Sequence, residues 1–134
     1  MFLFVWGWVC AIAGTLSTVP QVARLLRSRT SAGLALTMWQ MNVACSLGWV
    51  LHGLRGDWWN ITVPNAILAV TGSLVIQLIK TDRRLSFAQA WPTVAAVFAA
   101  LAAVEIFGNP VLFGIAVMIP LVGGMLTQSR DLVR

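Results

Sequence analysis

An all-α integral membrane bundle of five spans is the fold this sequence predicts, from three observations. The chain has 134 residues, 59% of them hydrophobic and only 10% charged, against about 25% charged in a soluble domain. Its mean hydropathy of +0.85 points the same way. The apolar residues run continuously, whereas barrel strands alternate apolar and polar over about ten residues. A bilayer admits only helices and closed barrels, because the backbone must satisfy itself there.

The first apolar run, 2–26, has no basic segment ahead of it and leads straight into Arg24, Arg27 and Arg29. It therefore reads as a retained span and not as a cleaved signal. Pro20 lies in its last third. A proline there removes one backbone donor and disturbs the helical ladder, which marks Pro20-Gln21 as a hinge. The other runs cover 34–54, 59–79, 90–107 and 111–126. They approach the roughly 17–25 residues that cross a bilayer core, the last being the shortest. Short loops join them.

Basic residues orient the spans. Arg24, Arg27 and Arg29 end the first, Lys80, Arg83 and Arg84 follow the third, and Arg130 and Arg134 follow the fifth. One side of the membrane then holds eight of the nine basic residues, and only Arg55 faces the other. This predicts an outer N-terminus and an inner C-terminus. Trp6, Trp8, Trp58 and Trp59 fall near the outer boundary, where amphipathic rings sit at headgroup level. The net charge of +5 is thus an orientation signal and no case for nucleic acid. Cys10 and Cys45 lie inside apolar runs and read as small packing residues. One histidine and four carboxylates leave little for acid–base chemistry. No catalytic constellation, metal site or cofactor is expected.

An internal repeat is present. Gly14, Pro20, Val22 and Leu26 recur as Gly114, Pro120, Val122 and Leu126, each 100 residues on. Both copies end a span running outside to inside, as a parallel repeat requires.

Pro20-Gln21, then Thr30-Ser31-Ala32-Gly33-Leu34, then Trp49, His52-Gly53, Asp57 and Pro64-Asn65 follow in order over the first eighty residues. In this the chain resembles a SWEET or SemiSWEET sugar transporter of the PQ-loop superfamily. The resemblance implies a three-helix unit at 1–80. Two such units, as two chains or two halves of one, surround a path that carries a small sugar down its gradient by alternating access, without ATP. It implies Trp49 and Asn65 as substrate contacts. It implies His52, Arg55 and Asp57 as an outer gate, with histidine where the family often has tyrosine. A histidine beside Asp57 could make that gate pH-sensitive; a solvated interfacial loop is the alternative.

The side chains suit these roles. Asn65 offers two donors and an acceptor, and Trp49 offers a flat face with one donor. Interhelical bonding for Asn65 and core packing for Trp49 are the alternatives. Gln40 and Asn42 either line the path or bond across helices. Glu105 is expected to be solvated near the outer boundary. Asp82 can pair with Arg83 or Arg84, though exposed pairs contribute little.

Residues 81–108 read as a loop and a linker-like span, and 109–134 as the first helix of a second repeat, with Leu121 where the first copy has Gln21. Three explanations stand: a truncated two-repeat member, a five-span form that dimerises, or a chain whose second half is a separate polypeptide. The expected protein is a multi-pass plasma-membrane sugar facilitator, working as a homo-oligomer or with a partner half-transporter. Its rivals are a transporter of another small solute such as an amino acid, and a non-transporting membrane assembly protein. The sequence shows no intramembrane aspartate, which proton-coupled relatives tend to use, and this favours sugar.

Overall fold

The computed structural model describes residues 5–9, 12–14, 16, 20, 22–23, 27, 31 and 33–133, with 130–133 described by their backbone. The described residues form helices and turns, with no strand among them. The N-terminal ones from 5 to 27 are helical, and four long helices follow. These are α1 (Leu36–Arg55), α2 (Trp59–Asp82), α4 (Pro92–Phe107) and α5 (Pro110–Val133), with a single turn of helix, α3 (Phe87–Ala90), before α4. Four of the predicted runs thus appear as helices. The fourth is split at Trp91, because Pro92 takes the first position of a new helix, where its missing N–H costs nothing.

Local chemistry sets the boundaries. Gly33 takes a positive φ of 75° ahead of α1. Pro64 stands inside α2, where it cannot donate to the ladder. Around it, Thr62 Oγ1 donates to the Trp58 carbonyl at 3.2 Å and Asn65 Nδ2 donates to the Ile61 carbonyl at 2.9 Å. Asn109 Oδ1 accepts the Leu112 N–H at 2.9 Å and so caps the start of α5.

α1 is the hub: it packs on α2, α4 and α5. One core joins Trp39, Val43 and Ala44 of α1 to Val75, Ile76 and Ile79 of α2, with Ala90 and Val94. A second joins Cys45 of α1 to Leu101 of α4 and to Phe113 and Val117 of α5. Glycine permits the closest approach. A methyl group on Gly72 would stand 2.7 Å from Val43 Cγ2.

Polar side chains secure α1 to its neighbours. Buried Gln40 donates to the Ala90 carbonyl at 2.9 Å and to the Gln89 carbonyl at 3.3 Å, and so holds the end of α3. At the start of α1, Asp82 accepts the Ser31 N–H at 2.7 Å and its hydroxyl at 2.6 Å. The Arg83 guanidinium bonds Ser31 Oγ and the carbonyls of Ser31 and Leu34. Asp82 is therefore tied first to Ser31 and not to an arginine, which differs from the sequence expectation. It lies beyond the apolar run that ends at Ile79, and the two Ser31 donors hold its carboxyl below the usual range. Gln128 of α5 completes this end, accepting the Ala35 N–H at 2.9 Å and donating to the Gly33 carbonyl at 2.6 Å.

The exterior inverts the soluble pattern. Val63, Ile67, Val70 and Leu74 of α2 face outward, as do Ile115, Met118, Ile119, Val122 and Met125 of α5, while Gln40, Ser46 and His52 are buried. α2 and the 110–129 part of α5 are long and apolar enough to cross a membrane. α1 has the length, but Gln40, Asn42 and His52 lower its hydropathy, and α4 is shorter.

Two glycine substitutions separate packing from propensity. Gly72→Ala drives a methyl into the stiff, buried Val43, and overpacking of this kind costs about 1–2 kcal/mol. At Gly114 a methyl would meet nothing within 4 Å, so alanine there gains up to about 1 kcal/mol of helix propensity. Thermal unfolding in detergent is expected to shift down for Gly72→Ala and to hold or rise for Gly114→Ala.

Candidate functional site

The end of the bundle opposite Ser31 holds its densest cluster of chemistry. The last turns of α1 carry Trp49 and His52, three residues apart and so on one face. α4 brings Glu105 in its last turn, α5 brings Phe113 in its first, and Trp58 lies between α1 and α2. Gly48 lets these helices close: a methyl there would meet Leu101 Cδ1 at 3.3 Å and Phe113 Cε2 at 3.6 Å.

His52 sits in an aromatic enclosure. Its ring stacks on Phe113, with centroids 4.8 Å apart and planes 10° from parallel. Trp49 meets His52 edge-on at 5.5 Å and Phe113 edge-on at 5.2 Å. Trp58 lies 5.0 Å away on a tilted plane. The imidazole meets the carboxylate of Glu105, whose Oε2 lies 2.8 Å from His52 Nδ1. Their side chains are 10% and 9% exposed, and Arg55 Nε approaches the other carboxylate oxygen at 3.5 Å.

Glu105 is thus covered and paired, and not solvated as its place near a span end suggests. The reason is register. Val94 and Leu101 are the buried positions of α4, and Glu105 follows Leu101 by four residues on the same face. That helical spacing is the signal present in the sequence. Asp57 is not the partner of His52; it is exposed, in a turn with φ 53°. Of the three expected gate residues, His52 and Arg55 meet through Glu105, and Asp57 stands apart.

The two expected substrate contacts fall into different surroundings. Trp49 packs beneath Phe113 in the second core. Asn65, on α2, bonds within its own helix through Nδ2. No hydrogen bond among the described residues joins them. Pro20 is helical and exposed, and Gln21 lies outside the described residues. Among the described residues, no three His, Cys, Asp or Glu side chains are grouped as a metal would need.

Comparison with protein-family models, with curated proteins and with solved structures returned no match. The resemblance to sugar transporters therefore rests on the sequence motifs alone.

The His52–Glu105 contact has a measurable signature. A double-mutant cycle with His52→Ala, Glu105→Ala and the double variant is expected to give a coupling of about 1–3 kcal/mol in unfolding free energy, since both groups are shielded from water and share one bond. Additive single effects would mean that the bond contributes nothing.

Proposed function

We propose that this chain is a multi-pass membrane protein that passes a small polar solute, a sugar foremost, down its gradient as an oligomer. The observation that carries the reading is Asn65. Its amide sits in the apolar helix α2, directly after the buried Pro64, and is only part-buried. Nδ2 holds the Ile61 carbonyl, while Oδ1 accepts no hydrogen bond among the described residues. Polar groups at such depth are costly unless they pair or face water. A hydroxyl-rich solute can donate to Oδ1.

The outward apolar faces of α2 and α5 suit a lipid environment in the plasma membrane. The remaining span assignments, the outer N-terminus, the Pro20-Gln21 hinge and the oligomer belong to the same proposal. Trp49 is part-buried and meets Phe113 of α5 edge-on. The packing of α4 and α5 on α1 supports a second reading, in which they seal the unit and the protein serves membrane assembly without transport. An amino acid stands as the alternative solute.

Uptake of radiolabelled sugars and amino acids into proteoliposomes tests the proposal. Wild type is expected to equilibrate a sugar faster than protein-free vesicles, and Asn65→Ala to be slowed about tenfold, the equivalent of one lost bond of about 1.4 kcal/mol. Equal rates for wild type and Asn65→Ala would remove Asn65 from the path. No uptake of any solute by folded protein would leave the assembly reading.

A further inference from the structure

We propose that His52 and Glu105 form a proton-operated latch between α1 and α4. The latch does not depend on the transport reading, since it concerns how one end of the bundle closes.

At that end, among the described residues, α1 meets α4 through the 2.8 Å approach of His52 Nδ1 to Glu105 Oε2 and the longer 3.5 Å approach of Arg55 Nε to Oε1. An ionised carboxylate only accepts, so the contact needs a proton on Nδ1. A neutral imidazole carries one proton, on either nitrogen. With it on Nε2, two lone pairs face each other across 2.8 Å and the contact fails. A second proton puts a donor on both nitrogens, fixes Nδ1 as the donor and adds opposite charge to the bond. Proton binding to His52 therefore tightens the α1–α4 seam, and proton loss loosens it.

The neighbours leave the decision to this pair. Among the described residues, α4 presents Glu105 to the imidazole, α5 presents Phe113 and the α1–α2 turn presents Trp58. Arg55 of α1 reaches only the far carboxylate oxygen, at 3.5 Å, and Asp57 is exposed in the turn. The aromatic walls limit competing water, which strengthens a charged contact and makes its loss costly. The stacked Phe113 would carry movement of His52 into the start of α5, so the latch spans three helices. Histidine is the side chain whose ordinary titration falls in the physiological range, and this chain has only one. Its protonation can thus be followed without ambiguity.

The test is spin-label distance measurement across the seam in detergent and in nanodiscs. Leu54→Cys on α1 and Ile106→Cys on α4 place the labels, both positions being about half exposed, with Cys10 and Cys45 replaced by alanine. Ring resonances of His52 report its protonation in the same samples. The expected result is one short distance population in samples whose ring resonances report the charged imidazole, and a longer component in samples where they report the neutral one. His52→Gln and Glu105→Gln are expected to show the longer component across the same pH range, with no response. An unchanged distribution across the titration of His52, or a response that survives in folded Glu105→Gln, overturns the proposal. The comparison of the two ring states needs neither variant, so it decides the matter even where these do not fold. Absence of solute uptake would leave this result untouched.

Discussion

The rest of this structure depends on burying α1, a helix too polar to face lipid and too central to face water. Gln40, Ser46 and His52 stand on it among Val43, Ala44 and Cys45, and all are buried. A polar group at such a place needs a partner, since an unmet donor or acceptor costs its full desolvation. Gln40 finds the carbonyls at the end of α3, and His52 finds Glu105. Small residues at Gly48 and Gly72 let the partners come close enough. The helices around α1 are thus selected as much by its polar side chains as by its apolar ones.

The two ends of α1 are secured by different chemistry. At the Ser31 end, several bonds act together. Asp82 and Arg83 hold the turn, and Gln128 holds the first backbone groups of α1. Loss of one leaves others. At the His52 end, the polar link to α4 runs through Glu105, which takes the protonation-dependent contact of His52 and the longer approach of Arg55, among rings. This asymmetry distinguishes the two ends of the bundle. It also explains why aromatic side chains gather at the His52 end: they exclude water from a bond that water would otherwise screen.

Much of the helix layout was legible in the sequence because continuous apolar runs and proline punctuation are local signals. The starts of α2 and α5 fall within a residue of the expected runs, and Pro92 divides the fourth. Partner choice was less legible. Asp57 is nearer to His52 in the chain than Glu105, but a turn with positive φ carries it outward, whereas helix register carries Glu105 inward. Likewise Asp82 has adjacent arginines, yet two Ser31 donors reach it from fifty-one residues away. Trp49 and Asn65 share a motif in sequence, but packing sends one toward α5 and leaves the other on α2. Such choices are made by three-dimensional packing, which spacing along a single chain reports only where a helical register, as at Leu101 and Glu105, is followed to its end.

The central claim is that α4 lies directly against α1 in the same chain. A methyl carbon on Gly48 would stand 3.5 Å from Leu101 Cβ, within the span a disulfide bridges. The direct measurement is oxidative cross-linking of Gly48→Cys with Leu101→Cys in native membranes, with Cys10 and Cys45 replaced, read by mass spectrometry of the linked peptides. The account predicts rapid bond formation within single chains. Bonds formed only between chains, or none in folded protein, would contradict it.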